Sequence, residues 1–173
     1  MTAGGHSGAN PGVELRVGQG FDVHPFSTDP TRPLVLGGVL VPGSPGLAGH
    51  SDADAVAHAV SDAMLGAACL GDLGRHFPDT DERFAGADSM ELLSEVVRLV
   101  AGEGLRPLNA DCTVVAERPR LSAYTAQMAG TVAAVLGAPV SVKATRAEGL
   151  GALGRAEGVA CMAIVLLQGG ARP

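Results

Sequence analysis

The chain has 173 residues, of which 46% are hydrophobic and 3% aromatic, and its net charge is −6. This length and composition predict one globular domain whose core is built from Val, Leu and Ala. The acidic balance excludes a general nucleic-acid surface and an anionic membrane partner, because both need a basic stripe. Cys69, Cys112 and Cys161 lie far apart in apolar runs and indicate a reduced, cytoplasmic protein. No apolar run is long enough for a membrane span.

The first half of the chain alternates strand and helix patterns after a flexible tail at residues 1–13. Glu14 to Gly18 is strand-like and leads into a loop with Asp22 and His24. Residues 34–42 predict a strand with a bulge at its Gly-Gly pair. A helix is predicted over about residues 52–70, stopped by Gly71, and followed by a polar loop over 71–81 that is a candidate for binding.

The second half repeats the alternation. Asp88 opens a helix that Gly102 and Gly104 end, residues 109–116 form a strand, and Ser122 caps a helix that reaches about Leu136. Residues 140–145 predict a strand, 146–155 a loop and 157–168 a buried strand, before a tail at 169–173. The predicted domain, residues 14–168, is an α/β layered sandwich with a mixed sheet of four to five strands and helices on one face.

Three residues form a candidate metal site. If residues 14–24 are a strand, Asp22 and His24 project from the same face. If a helix begins after Ser51, with Asp54 completing an acidic capping box, His58 lies one turn above Asp54. Three such ligands leave one tetrahedral position open, as in catalytic zinc sites. The alternative is that Asp22 is a turn residue and that the histidines are ordinary half-buried ones.

Basic residues are concentrated in two short segments near the C-terminus, which predicts phosphate ligands. These residues are Arg118 and Arg120 in one segment and Lys143, Arg146 and Arg155 in the other. Glu148, an acid within the second segment, is explained if it holds a second cation such as Mg²⁺. The alternative is a solvated surface of salt bridges. No protein nucleophile stands out, so water or the substrate itself attacks. The sequence therefore predicts a metal-assisted reaction on a phosphorylated small molecule, with or without a linked nucleotide.

The chain resembles the 2-C-methyl-D-erythritol 2,4-cyclodiphosphate synthases from about Val17 to Leu167. The motifs that carry the resemblance are GFDVHPF, LGGV, GHSDADAVAHAVSDAMLGAACLGDLGRHFPDTD, GADSMELL, NADCTVVAERPRL and VKAT followed by E, LG, GR and EGVA. The resemblance implies a homotrimer with active sites between subunits. It also implies an intramolecular attack of the 2-phosphate of 4-diphosphocytidyl-2-C-methyl-D-erythritol 2-phosphate on its β-phosphorus, with release of CMP.

The same resemblance implies roles for individual residues. Asp22, His24 and His58 match zinc ligands, of which Asp22 and His24 also match substrate contacts. Glu148 matches a carboxylate that reaches a second metal, Mg²⁺ or Mn²⁺, on the substrate diphosphate. His50, as a catalytic residue, and Ser51 match positions beside the phosphate and the erythritol. The remaining matches are substrate contacts: Asp72, Leu73, Gly74, Phe77, Asp79, Thr80, Asp81, Ala116, Arg120, Leu121, Ser122, Thr145, Glu148 and Arg155.

Two positions depart from the pattern of the family. Arg146 stands where the family has a threonine that is counted a transition-state stabiliser, and Gln19 stands where it often has histidine. An arginine can still stabilise phosphate charge, so Arg146 is kept as a catalytic candidate. Two rival functions remain, a zinc-dependent phosphohydrolase in which water attacks, and a non-enzymatic zinc-binding or scaffolding protein, which would not need Glu148 and Arg155.

Overall fold

A four-stranded mixed sheet forms one layer of the protein, whose computed structural model describes residues 13–170. The strands lie in the order β1 (Glu14–Pro25), β6 (Gly158–Gly169), β4 (Leu105–Val115) and β5 (Val140–Thr145). β6 is antiparallel to β1 and β4, whereas β5 runs parallel to β4. The prediction of a mixed α/β fold is confirmed, with four strands in this sheet. The predicted tails fall largely on residues 1–12 and 171–173, outside the described residues, and β6 ends one residue past the predicted boundary.

Helices cover one face of this sheet. α1 (Ala55–Ala68) packs on β1 and β6, α3 (Ser89–Gly102) packs on β4, and α4 (Thr125–Leu136) packs on β5. Within residues 13–170, the buried hydrophobic cluster consists of Leu, Val and Ala with two Met and two Cys, and it contains no aromatic side chain. The composition of the core is therefore the one expected from the sequence.

Two glycines let α1 approach β1 at backbone distance. A Cβ atom placed on Gly18 would overlap the carbonyl oxygen of Ala63, and one placed on Gly20 would overlap that of Ala59. Both carbonyls belong to α1, one turn apart. Because the metal-ligand candidates Asp22 and His24 continue the same face of β1, this close packing fixes the distance between them and the helix that carries His58.

Several predicted boundaries were wrong for identifiable reasons. β1 continues to Pro25, so Asp22 and His24 lie in a strand and not in a loop. The Gly-Gly pair of residues 34–42 is the turn of a small hairpin, β2 (Val35–Leu36) and β3 (Val39–Leu40), since Gly37 and Gly38 both have positive φ. The loops predicted over 71–81 and 146–155 each contain one helical turn, α2 (Leu73–His76) and α5 (Gly151–Gly154).

Helix ends account for the other differences. α1 begins after Asp54, which is itself the N-cap, so the predicted capping box is wrong. The same helix ends at Cys69, in the left-handed conformation, before Gly71 is reached. α4 starts after Tyr124 with no side-chain cap, so Ser122 is not its cap, whereas its end at Leu136 and Gly137 is as predicted. β4 begins earlier than predicted, at Leu105.

The other face of the sheet is largely apolar on β1 and β6 and is uncovered in a single chain. Its side chains include Val17, 70% exposed, Phe21, 53% exposed, and Ile164, 51% exposed. A solvated sheet face normally carries polar residues at alternate positions, so an apolar one marks an interaction surface. None of the helices within residues 13–170 combines the length and the apolar character needed to cross a bilayer.

Candidate active site

Asp22, His24 and His58 converge on one point beside β1. Oδ2 of Asp22 lies 3.0 Å from Nε2 of His24 and 3.1 Å from Nδ1 of His58, and the two ring nitrogens are 3.3 Å apart. Each residue thus offers one ligand atom to the same small space, and the three form the only such metal-ligand group found within residues 13–170. The structure therefore brings together the three residues that spacing predicted.

Local geometry explains why these three residues meet. Asp22 and His24 are two apart on β1 and share its inner face. His58 lies on α1, and its N–H donates to the carbonyl of the N-cap residue Asp54 at 3.0 Å. One ligand therefore comes from the first turn of a helix that packs closely on the strand that supplies the other two.

The Asp54 carboxylate ties the start of α1 to the β2–β3 hairpin. It accepts from the N–H groups of Val56 and Ala57 at 3.0 and 3.1 Å and from those of Gly37 and Gly38 at 2.7 Å each. Burial raises the pKa of Asp54, while these four donors favour its ionised form. The sequence interpretation recognised this residue only as part of a capping box, but it anchors the helix that carries His58.

The electrostatics of the cluster favour the charged forms of a carboxylate and an imidazole when no metal is bound. Burial acts to raise the pKa of Asp22, but hydrogen bonds from His24 and His58, with their charges, outweigh it and hold that pKa well below its ordinary value. The hydrogen bond to Asp22 raises the pKa of His24 against the opposing effect of burial. A divalent cation would replace the proton of His24 in stabilising this carboxylate.

The donor set fits a divalent transition metal. Ligand atoms about 2.05 Å from a tetrahedral centre are separated by about 3.3 Å, and the three observed separations are close to that value. Two imidazoles and a carboxylate are a common protein set for zinc at catalytic sites. His24 is oriented for this role because its Nδ1 lies 2.8 Å from the carbonyl oxygen of Ala48, which can only accept, so Nε2 carries the lone pair.

A cavity of about 430 Å³, here called the metal cleft, opens beside this cluster. Its wall brings together predicted residues from three separate segments and adds Gly49, Phe84 and Leu92, which the sequence interpretation missed. The predicted residues in its wall are His24, His50, Ser51, His58, Leu73, Gly74, Phe77 and Asp79. The polar loop after α1 therefore faces the cluster.

A second cavity of about 260 Å³, here called the β4–β5 cavity, lies where β4 and β5 end. It brings together six predicted residues: Ala116, Arg120, Leu121, Ser122, Thr145 and Arg146. The guanidinium of Arg146 lies 3.8 Å from Glu117 and 3.4 Å from Glu148. Glu148, proposed from the sequence as a ligand of a second cation, thus already has a cationic partner within the chain.

The remaining predicted residues are not among those that line these two cavities. Asp72 is the N-cap of α2, and its carboxylate accepts from the N–H of Arg75 at 2.9 Å. Asp81 accepts from Arg83 through both carboxylate oxygens, and its carbonyl oxygen lies 3.2 Å from Nε2 of His50. Thr80 is an exposed turn residue between them. Arg155 pairs with Glu157 at 2.6 Å and is exposed.

Polar residues behind His58 are the main feature that sequence reasoning missed. Ser89, the first residue of α3, is fully buried, and its hydroxyl lies 2.9 Å from Nε2 of His58. It also donates to Asp52. The local pattern identified Ser89 only as part of a helix start, and no sequence signal links it to a residue 31 positions earlier. The guanidinium of Arg32, another residue missed, donates to the backbone carbonyl of Ser51.

The fold and this site define a class of protein: a mixed α/β sandwich with a candidate Asp-His-His metal site beside a cleft. The model of the YgbB family matches residues 15–168. A 2-C-methyl-D-erythritol 2,4-cyclodiphosphate synthase of Geobacillus kaustophilus is 54% identical over 157 residues, which cover 89% of this chain and 98% of that protein. The chain belongs to the YgbB family.

Solved structures agree with this assignment. A 2C-methyl-D-erythritol-2,4-cyclodiphosphate synthase in a CDP-bound form superposes with a TM-score of 0.79 at 36% identity, covering 88% of this chain and 99% of that one. The IspF of Plasmodium falciparum in complex with CDP superposes with a TM-score of 0.77 at 30% identity, covering 90% and 96%. Two structurally similar relatives therefore bind a cytidine diphosphate.

Proposed function

We propose that this chain is a 2-C-methyl-D-erythritol 2,4-cyclodiphosphate synthase of isoprenoid biosynthesis. The observation that carries the proposal is the Asp22–His24–His58 cluster, open to a cleft, in a chain 54% identical to a protein of that name over nearly its whole length. None of the three relatives described above is named as a hydrolase. The alternative of a phosphohydrolase therefore has no support from them.

The reaction needs no oxidant, reductant or second substrate. An oxygen of the 2-phosphate attacks the β-phosphorus of 4-diphosphocytidyl-2-C-methyl-D-erythritol 2-phosphate, and a new P–O–P linkage closes the ring. The bond from the β-phosphorus to the bridging oxygen breaks, and its electron pair leaves with CMP. Because the attacking phosphate is already ionised, the chain has to position and neutralise two anions and need not supply a strong base.

Asp22, His24 and His58 would hold the metal, for which we propose zinc. When bound, the metal supplies positive charge that lowers the repulsion between the reacting phosphates. His50 and Ser51 line the same cleft, where they would orient the erythritol phosphate. Phe77 and the turn from Asp79 to Asp81 would enclose the erythritol end. Asp72 and Gly74 would face the ribose, and Leu73 between them would also contact the substrate. The cleft has room for a small ligand, since its volume is about 430 Å³.

The β4–β5 cavity would take the cytidine monophosphate end of the substrate. Ala116, Leu121 and Ser122 form its wall, with Thr145 opposite, and Arg120 supplies a positive charge. We assign Arg146 to charge stabilisation at the diphosphate, helped by its position between Glu117 and Glu148. Glu148 would also contact a second cation, Mg²⁺ or Mn²⁺, on the diphosphate, and Arg155 would contact a phosphate.

A homotrimer completes the proposal. The metal cleft borders the edge strand β1 and the β4–β5 cavity borders the edge strand β5, so three strand spacings, about 14 Å, separate them within one chain. A neighbouring copy docked on the apolar sheet face would place its β4–β5 cavity beside the metal cleft of the first. A cytoplasmic location is also part of the proposal and is supported by the three free cysteines.

The experiment that tests this function is ³¹P NMR of the purified protein with the proposed substrate, with and without Zn²⁺ and Mg²⁺. Metal-dependent formation of CMP and a cyclic diphosphate is the expected result. CMP with a linear phosphate product would instead establish a hydrolase. A fully metallated protein without turnover would support the non-enzymatic alternative. A mixture of His58→Ala and Arg146→Ala chains that regains activity would support sites shared between copies.

A further inference from the structure

The two ring nitrogens of His58 face different surroundings. Nδ1 points at the candidate metal position, 3.1 Å from Oδ2 of Asp22. Nε2 points away from it and lies 2.9 Å from Oγ of Ser89 and 3.2 Å from Oγ of Ser51. A neutral imidazole can bind a metal through Nδ1 only if its single proton is on Nε2. In the metal-free protein the Asp22 carboxylate competes for this proton at Nδ1, so the groups that face Nε2 determine how readily His58 becomes a ligand.

The hydroxyl proton of Ser89 points away from His58. Ser89 donates it to Oδ1 of Asp52, an acceptor-only carboxylate. This carboxylate is held in place by the N–H of Asp54 at 3.2 Å and the N–H of Ser89 at 3.3 Å. Oγ of Ser89 is thus left with lone pairs toward His58, and it can only accept from Nε2.

The hydroxyl of Ser51 does not change the direction of the hydrogen bond from Nε2 of His58 to Ser89. Its Oγ accepts from the N–H of Ala53 at 3.1 Å and lies 3.2 Å from Oγ of Ser89, to which its own proton can be donated. Every donor in the network can then be satisfied in one arrangement, in which Nε2–H and the Ser51 hydroxyl both donate to Ser89 and Ser89 donates to Asp52. Ser51 and Ser89 are both buried, so water does not compete for these bonds.

We propose that Ser89 and Asp52 are positioning residues for the metal centre: they stabilise the proton of His58 on Nε2 against the pull of Asp22 at Nδ1, so that Nδ1 presents its lone pair to the metal. His24 is set by the same logic, because the Ala48 carbonyl fixes its proton on Nδ1. The two histidines thus bind through opposite nitrogens, each favoured by an acceptor behind the ring. This inference rests on the proposed function only in taking a metal as the ligand of the cluster.

The test is the Ser89→Ala variant, studied by ¹⁵N NMR of the histidine rings in the metal-free protein and by zinc titration against a competing chelator. In the metal-free wild type, the neutral His58 ring should share its proton between Nδ1, which faces the Asp22 carboxylate, and Nε2, which faces Ser89. In Ser89→Ala, only the Ser51 hydroxyl faces Nε2, and it can donate as well as accept, so the share of the proton on Nε2 should fall. Zinc should bind about 10- to 100-fold more weakly, as is typical when such a supporting partner is lost.

Two further variants keep the inference falsifiable. Ser89→Thr retains the hydroxyl and should keep the wild-type proton position and zinc affinity. Ser61→Ala removes a different buried hydroxyl, in α1, which donates to the Ala57 carbonyl at 2.8 Å. This variant should leave the proton position of His58 and the zinc affinity unchanged. The inference is overturned if His58 in Ser89→Ala keeps the wild-type share of its proton on Nε2 with unchanged zinc affinity, or if Ser61→Ala weakens zinc binding equally. Neither readout involves turnover, so failure of the synthase assay remains a separate result.

Discussion

The metal cleft and the β4–β5 cavity are built in opposite ways. Around the metal cleft, the ligand atoms are fixed by hydrogen bonds to a backbone carbonyl, to Ser89 and to a helix whose N-cap is fully buried. Around the β4–β5 cavity, Arg146 pairs with the exposed Glu148 and with Glu117, whose side chain is half-buried. Arg146 is 50% exposed and Glu148 74% exposed.

This difference separates two physical tasks. A metal site has to be in place before the substrate arrives, because its ligand geometry must be correct to within a few tenths of an ångström. A phosphate-binding loop can be organised by the ligand, since exposed ion pairs contribute little to stability and exchange easily for pairs with phosphate. We therefore expect changes in the metal cleft to affect metal binding and folding, and changes at the β4–β5 cavity to affect turnover alone.

The largest effect should come from His58→Ala. Loss of a supporting partner of a ligand can weaken metal binding by about 100-fold. Loss of the ligand itself should weaken zinc binding by more than that, and turnover should disappear with it. Isothermal titration with zinc and the ³¹P assay measure the two effects. His76→Ala is the matched control, since His76 is a half-buried histidine bonded to the Leu70 carbonyl at 3.0 Å and is absent from the cluster. Equal loss in both variants would contradict a specific ligand role.

Gly20→Ala should destabilise the fold by about 3 kcal/mol, because its methyl group would overlap the Ala59 carbonyl and push α1 away from β1. Gly66→Ala, in the helix α1 that packs on Gly20, is the control. A Cβ at Gly66 meets no atom within 4 Å, so this change should stabilise the protein by about 0.5–1 kcal/mol. Urea unfolding measures both. If Gly20→Ala were neutral, the close approach of helix and strand would not be a determinant of the site.

Arg146→Ala should lower kcat by about 10- to 100-fold while zinc affinity stays at the wild-type value, because one positive charge is removed from the diphosphate position and no metal ligand is touched. Arg98→Ala is the control, as Arg98 is an exposed arginine paired with Glu95 on α3. A fall in zinc affinity in Arg146→Ala would break the division between the two regions, and unchanged turnover would remove Arg146 from the proposed chemistry.

The features that follow from local spacing could be predicted from the sequence. Asp22 and His24 are two apart in a strand and His58 is one turn into a helix, so short-range periodicity was sufficient to assemble the cluster. The sheet and its helices were likewise found from alternation and glycine stops. The residues that support the cluster could not be found in this way, because Ser89 reaches His58 only through the packing of α3 against α1.

Helix starts and turns were the other features that the sequence predicted poorly. Ser51, Asp52 and Asp54 are all good N-cap residues, and the sequence does not say which one caps α1. The structure selects Asp54 because Gly37 and Gly38, with positive φ, aim two further N–H groups at its carboxylate. That choice depends on a hairpin sixteen residues earlier, and a single stretch of sequence carries no trace of it.

The smallest effect concerns pH and separates the metal-free from the zinc-loaded protein. The pKa of His24 is raised above its ordinary value of 6.5, so its contribution to stability is complete below that value and is lost as pH rises through the raised pKa. The pKa of Asp22 is lowered, so its contribution is present above 3.8 and is lost as pH falls through the lowered pKa. The unfolding free energy of the metal-free protein should therefore decrease from about pH 6 toward alkaline pH.

Zinc should remove this alkaline decrease, because the metal takes the place of the proton and binds better as the imidazoles lose their protons. Urea unfolding with and without zinc, between about pH 6 and 9, measures the difference. In His24→Gln the alkaline decrease should be absent even without metal, since the group that loses its proton is gone. If the unfolding free energy of the metal-free wild type depended on pH in the same way as that of His24→Gln, Asp22 and His24 would not be coupled in solution. The metal cleft would then be no better organised before metal binding than the β4–β5 cavity.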